Sequence, residues 1–512
     1  MPLLLLAGLV ALGSAADAQE CEGGGDVVAD PVDGTLYPCE NITLLGRLPL
    51  ADMGVPTNPS TNLPYRGNDI WGWTDPQDGR EYALVGNKSG VYFVEVSETD
   101  GLRPLGALPT ETVATTWRDI KVYQNHAFAV ADGAGEHGMQ VFDLTRLRGL
   151  EADPTRVYSA DAVYRGTVSE PVASAHNVAI NEDTGFAYIV GAGSCAGGFH
   201  MVDLQNPLAP TFVGCFAADG YTHDVHCVTY AGPDADYSGH EICVGSNDDV
   251  TVIVDVTDKA NPLLISRVFY PNTGYAHQGW FGPRHRYFYA DDESDELQGL
   301  VANTRTLQFD FADLDAPFLA SEFFHETEAT DHNLYVDGDF IYLANNASGL
   351  RIIQILGMGP TDALAATAYL DTYPEGDAAG FEGAWSSYPF FGEDKVVVSD
   401  RTRGLFVVQG PNGTLTANEP TGPVGAFVLD VPAPNPFRSQ TRLTLTAEAT
   451  QYVRVVLYDA LGRQLGVLHE GAVSAQDRLI LDVDGRALAP GVYLVRVEGE
   501  QRVASQRLVR VR

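Results

Sequence analysis

The segment GYTHDVHC, residues 220–227, sets two histidines three apart around an aspartate and ends on a cysteine. Imidazole, carboxylate and thiolate are the donors that hold zinc and its neighbours, and histidine is also the side chain that exchanges a proton near neutral pH. The segment is not alone. Polar or aromatic pairs recur before short apolar runs: Asn68-Asp69, Arg118-Asp119, His176-Asn177, His223-Asp224, His277-Gln278, His332-Asn333 and Phe381-Glu382. Four consecutive pairs open with histidine, at intervals of 47 to 55 residues.

Such long and regular intervals require a repeated element to bring these residues together. After each pair the chain runs through a short apolar stretch, a turn, a second stretch such as FAYIVGA, and then a near-constant phrase. That phrase reads GVYFVEVS at 90–97, GMQVFDLT at 138–145, GFHMVDLQNPLAP at 198–210, VTVIVDVTDKANP at 250–262, LQFDFADLDAP at 307–317, GLRIIQIL at 349–356 and GLFVVQG at 404–410. β-rich runs separated by turn residues, without a convincing helix, predict an all-β chain of seven four-stranded units, the pattern of a seven-bladed β-propeller. Several units add an outer strand after the phrase, as in PTFVGCFA at 210–217. The seventh has none, whereas an orphan of that type, NITLLGRLPL, stands at 41–50 before the first unit. An N-terminal strand completing the last unit closes the ring and removes an exposed sheet edge.

In that arrangement Arg118, Asp119, His176, Asn177, His223, Asp224, His277, Gln278, His332, Asn333 and Glu382 become neighbours at one end of a central channel. Three uses are open. The pairs could satisfy backbone groups where units meet. His176, His223, His277 and His332 could bind a divalent metal (Zn²⁺, Mn²⁺ or Ca²⁺), with Asp224, Asp331 or Glu382 as ligand or support. Or the ring and Arg118 could bind or turn over an organic ligand. Successive strand residues point to opposite faces, so a histidine and its following residue share the channel only if the strand bulges there. His226 is expected to face away from the channel. Whether the chain is an enzyme stays open, and no G-x-S-x-G motif is present.

Three further features complete the reading. The acidic loop ADDESDELQG, 290–299, reads either as a Ca²⁺ loop without EF-hand spacing or as a solvated hairpin. His137, His240 and His285 are expected at the surface. Trp71, Trp73, Trp117, Trp280 and Trp385 fall at or near the starts of inner strands, where packing between units suits them better than a sugar platform.

The first residues, MPLLLLAGLVALGSAADAQE, are an apolar run ending in Ala16-Asp17-Ala18, which predicts a signal peptide over 1–18. In an exported chain six cysteines favour disulfides, and nearest-neighbour pairing gives Cys21–Cys39, Cys195–Cys215 and Cys227–Cys243, one of 15 connectivities. A net charge of −37 disfavours nucleic acid as a partner. Four of the 31 basic residues are lysines, a bias that fits either a salt-rich habitat or a GC-rich genome. No later apolar stretch reaches the length of a membrane helix.

The charge is uneven. Residues 431–512 carry 11 arginines against 8 acidic residues, leaving 20 basic and 60 acidic residues before them. The turn-rich stretch TANEPTGPVGAF at 416–427 reads as a linker, and the alternating apolar runs beyond it predict a small β-sandwich. The expected order is therefore a leader (1–18), an N-terminal disulfide-bearing segment (19–44), the propeller (45–412), a linker (413–430) and a C-terminal domain (431–512).

Two resemblances refine this order. VTVIVDVTDKANP and its weaker copies look like the LVIVD repeat, and the unit order and DDESDE at 291–296 resemble the exported choice-of-anchor B proteins. APNPF, VRVVLYDALGRQL and LAPGVYLVRVEG closely resemble the C-terminal sorting domain of the type IX secretion system of Bacteroidota and relatives. The resemblances imply a propeller secreted to, or beyond, the outer-membrane surface of a Gram-negative bacterium. The type IX machinery is then its partner. The expected role is a binding or scaffold module for a small-molecule, glycan or protein ligand. The alternative is a metal-dependent hydrolase or lyase using the histidine ring.

Overall fold

The structure is a computed structural model of the 512-residue chain. It describes residues 19–21, 26–97, 101–356, 363–411, 427–429, 437–447, 451–459, 464–474, 478–489, 491–498 and 503–511. The expected signal peptide and most of the expected linker lie outside them. The chain divides into two compact units, Met1–Thr414 and Leu415–Arg512.

Among the described residues of the first unit, seven antiparallel sheets of four or more strands follow one another along the chain. Their lead strands are Gly67–Thr74, Arg118–Tyr123, Asn177–Asn181, Asp224–Thr229, Ala276–Phe281, Leu334–Asp337 and Ala384–Tyr388. The repeated phrase supplies the third strand of each, for example Phe199–Asp203, Thr251–Asp255 and Gly404–Gln409. Second strands such as Glu81–Asn87 are buried along nearly their whole length, while the outer strand Phe318–Phe324 is half open to solvent. Strands buried on both faces need apolar residues at successive positions, which explains runs such as YALVG and VVVS.

The apolar cores lie between sheets rather than within them. Val130, Val141, Val178 and Ile189 join the second sheet to the third; Tyr188, Phe199, Cys243 and Val252 sit where the third meets the fourth. Leu405, Val407 and Val397 of the seventh sheet share a core with Ile70, Leu84 and Phe93 of the first. Each lead strand likewise touches the lead strand of the next sheet, and that of the seventh touches that of the first.

The orphan N-terminal segment takes the expected place. Ile42–Leu48 pairs antiparallel with Gly404–Gln409, placing Leu48 opposite Leu405 and Leu44 opposite Val408. Gln19–Cys21 extends that sheet, and Leu36–Glu40 extends the sixth sheet beside Ala363–Leu370. The Cys21–Cys39 disulfide therefore ties the last two sheets together. The other two bonds, Cys195–Cys215 and Cys227–Cys243, complete the nearest-neighbour pairing. Cys227 and Cys243 face each other directly on adjacent strands.

In the second unit, one sheet (Phe427–Leu429, Gln440–Ala447, Arg478–Asp484) and another (Gln464–Val473, Gln451–Asp459, Gly491–Glu498, Val503–Arg510) enclose a single core. Leu443, Leu445, Leu481 and Val483 of the first meet Val453, Val455, Val495 and Val497 of the second. Phe427–Leu429, read as linker from sequence, is a strand of this unit.

Candidate functional site

Where the lead strands begin, six aromatic side chains from successive sheets form a chain of neighbours: Trp117, His176, His223, His277, His332 and Trp385. Ring centroids are 4.2 Å apart between His176 and His223, 4.4 Å between His223 and His277, and 4.5 Å between His277 and His332. Trp385 follows His332 at 4.4 Å, and Trp117 precedes His176 at 6.5 Å. They line a cavity of about 260 Å³ with Asp69, Arg118, Asp132, Asn177, Tyr221, Tyr275, Glu293 and Asn333. Trp117 and Trp385 thus belong to the cavity wall, whereas Trp71 and Trp280 pack with Tyr335 and Phe390 in an aromatic cluster. Gly72 leaves room for that cluster: a Cβ there would stand 2.1 Å from the Tyr388 ring.

The polar pairs divide their work. Arg118, His176, His223, His277 and His332 face the cavity as first residues, Asp69 rather than Asn68 does so in the first pair, and several second residues bind the neighbouring sheet. Asp69 Oδ2 accepts from the Ile120 amide, Asp119 Oδ2 from Val178 and Gln278 Oε1 from Leu334, while Asn177 Nδ2 donates to the His223 carbonyl. Register shifts at Gly67/Ile70, Ala276/Gly279 and Ala384/Ser386 put bulges at three of these starts, loosening the strict alternation of a strand. Asp224 caps the Val225 amide, away from the cavity wall. The seventh pair also lies elsewhere: Glu382 forms an exposed ion pair with Arg66, and Trp385 takes the ring position.

The four imidazoles are oriented alike. His176 Nδ1 lies 3.0 Å from Asp132 Oδ2, His223 Nδ1 3.0 Å from the His277 carbonyl, His277 Nδ1 3.1 Å from Asp291 Oδ1, and His332 Nδ1 2.6 Å from the Trp385 carbonyl. Carbonyls only accept, so His223 and His332 carry the proton on Nδ1, and each leaves Nε2 with a lone pair. Burial, then the neighbouring histidines, hold His223 and His277 well below the usual imidazole range; burial brings His332 down to about 3. Neutral rings are the ligand form.

The carboxylate beside the ring Nε2 atoms of this cavity is Glu293, and Asp224, Asp331 and Glu382 are not part of its lining. Its Oε1 lies 3.4 Å from His332 Nε2 and 3.8 Å from His277 Nε2. His223, His277 and Glu293 each offer a donor atom within 4.8 Å of the other two. Burial, helped by Asp292, raises the Glu293 carboxyl to about 7. Its only sequence signal was membership of DDESDE, a loop half-read as a solvated hairpin. That loop is instead largely buried: Asp291, Asp292 and Asp295 are at most 1 % exposed. His137, expected at the surface, is fully buried with Nε2 3.3 Å from Arg118 Nη1. Arg118 also donates to the Asn87 carbonyl, and its Nη2 has no hydrogen-bond partner. His226 does leave the cavity, stacking on Trp280 at 3.6 Å.

Residues 433–511 match the secretion system C-terminal sorting domain, and residues 237–269 match the LVIVD repeat. The chain is accordingly an exported β-protein with an LVIVD repeat and a type IX sorting tail, destined for the surface or exterior of a Gram-negative cell. Among the described residues no helix is long and apolar enough to cross a membrane. No curated protein matches the chain. Solved structures similar to it include PorZ, described as an essential bacterial surface component of the type IX secretion system of Porphyromonas gingivalis, at 14 % identity and TM-score 0.42. That match covers 95 % of this chain and 65 % of PorZ. A functionally unknown protein from Desulfotomaculum acetoxidans matches at 12 % identity and TM-score 0.39, over 60 % of this chain and 90 % of that one. A Lactobacillus plantarum protein matches at 15 % identity and TM-score 0.41, over 81 % and 99 %. At these TM-scores none of the three carries an argument about function.

Proposed function

We propose that residues 45–412, closed by the N-terminal strand, form a seven-bladed propeller that acts as a surface or extracellular binding module. A small C-terminal sandwich, residues 431–512, delivers it through the type IX machinery. The cavity at the lead-strand starts binds a divalent first-row metal, Zn²⁺ first, through Nε2 atoms of the histidine ring and the Glu293 carboxylate.

One observation carries the metal reading. All four Nδ1 positions face an oxygen acceptor, the arrangement in which metal-bound histidines are held. Imidazoles with one carboxylate suit Zn²⁺ and Mn²⁺ better than Ca²⁺, which prefers oxygen throughout. Ligands around tetrahedral zinc stand about 3.4 Å apart, so contraction by about an ångström closes the set.

A second reading, metal-dependent hydrolysis or elimination, is favoured by Arg118. Its guanidinium belongs to the lining of the same cavity, has a partnerless Nη2, and is of the kind that pairs with the carboxylate or phosphate of a substrate.

The test is elemental analysis of the purified full chain after refolding with Zn²⁺, Mn²⁺ or Ca²⁺. About one transition-metal ion per chain, lost in a folded His223→Ala/His277→Ala variant, is the expected result. A wild-type chain that takes up no Zn²⁺ or Mn²⁺, or a folded variant that keeps that transition metal, overturns the proposal.

A further inference from the structure

A second group of donors lies outside the histidine cavity. The loop after the strand Tyr287–Asp292 carries Asp295 and Glu296, and the approach to the strand Leu334–Asp337 carries Asp331. Each of the three offers a carboxylate oxygen within 4.8 Å of the other two. Asp295 and Asp331 are fully buried, and Glu296 is 8 % exposed. Water therefore does little to screen them from one another.

An independent observation points inward to a missing partner. Both carboxylate oxygens of Glu296 and Oδ1 of Asp331 are buried without any hydrogen-bond donor. The nearby cation does not supply one. Arg305 gives Nε to Asp295, Nη1 to Glu322 and Nη2 to the Asn272 carbonyl, and it bonds neither Glu296 nor Asp331. Buried carboxylates left in this state are destabilising unless a charge or a proton neutralises them.

We infer that Asp295, Glu296 and Asp331 bind one Ca²⁺ ion in a closed structural site that joins the fifth sheet to the sixth. The donors are all oxygen, the set that Ca²⁺ prefers, whereas zinc sites are built mainly on nitrogen and sulfur. Their burial leaves little room for the several waters that Mg²⁺ retains. The ion would replace the absent donors to Glu296 and Asp331 and lock the loop that also carries Glu293. The inference stands on residues other than the histidine ring and holds whether or not that ring binds metal.

The full chain, stripped with a calcium chelator, is titrated with CaCl₂ while Tm and calcium stoichiometry are followed. One ion per chain and a Tm rise of roughly 2–5 °C at saturation are expected. Mg²⁺ should give a smaller rise. Glu296→Gln and Asp331→Asn should each abolish the calcium-dependent shift, yet melt no lower than stripped wild type, because each removes a buried like charge. Asp313→Asn, in the more exposed acidic trio Asp234, Asp313 and Asp315, should leave the shift intact, as should His223→Ala/His277→Ala. A wild-type chain that binds no calcium and shows no shift overturns the inference and leaves a proton shared between the carboxyls. So does a Glu296→Gln chain that shifts like wild type.

Discussion

At the scale of single residues the molecule holds several histidines neutral by burial, and not only around the cavity. Burial, then the charge of Arg118, pushes His137 down to about 4. Burial does the same for His200, whose Nε2 meets the Tyr164 hydroxyl at 2.8 Å, and takes His325 to about 3. A base whose folded-state pKa lies below its unfolded value of about 6.5 binds protons more readily in the unfolded chain. Its contribution is complete above about pH 6.5 and is lost as pH falls toward 4. Each of these histidines should thus cost the fold roughly 1–3 kcal/mol across that window. Urea unfolding at pH 7, 5.5 and 4.5 should show a falling midpoint, and His200→Gln should make the slope shallower. An unchanged slope in that variant removes His200 from the account. The histidine ring itself was legible in the sequence because its members share one phase of a repeat. Glu293 was not, since nothing in DDESDE says which acid turns toward the cavity.

At the scale of elements, two contacts tie successive sheets together. Ile42–Leu48 brings Leu44, 2 % exposed, into the core between the last two sheets with Ile352, Val398 and Val408. Leu44→Asp would bury an unpaired charge there and should lower stability by about 3–5 kcal/mol, read as an early melt of the first unit. Asp119 connects the second and third lead strands: Oδ2 accepts from the Val178 amide at 2.7 Å, and Oδ1 meets Lys121 Nζ at 2.6 Å. Removing the carboxylate leaves the Val178 amide without its acceptor and takes from the buried Lys121 ammonium its shortest ion pair, with the Ile120 carbonyl and Asp69 at 3.9 Å remaining. Asp119→Ala should therefore cost about 3 kcal/mol, and Asp119→Asn, which keeps an acceptor for Val178, should cost less. Equal melting temperatures for the two variants would show that Lys121 dominates and the tie to Val178 does not. The orphan strand was assignable from sequence because a unit lacking its outer strand and a strand lacking its unit are complementary counts.

At the scale of the whole chain, the uneven charge and the sorting tail make separate predictions. The 60 acidic residues before position 431 far outnumber the 20 basic ones and the excess negative charge repels itself, so raising NaCl from 20 mM to 500 mM should raise the Tm of the first unit. A flat salt response would mean that local ion pairs already absorb the repulsion. Deleting residues 431–512 should leave a folded first unit trapped in the periplasm; its display at the surface would refute the sorting role. The sequence by itself determined the all-β class, the seven copies of the repeated phrase and the change of charge near residue 430, because these depend on local pattern and spacing; of the 15 cysteine pairings it left open, the structure holds the nearest-neighbour one. Tertiary structure alone decided which neighbour of each pair faces the cavity, since bulges at Gly67/Ile70, Ala276/Gly279 and Ala384/Ser386 loosen strand alternation. It also decided that Trp385 rather than Glu382 completes the ring, and that the acidic loop is buried rather than solvated. Burial belongs to the assembled sheets: charges that read as surface in the chain become interior when sheets distant in sequence close over them.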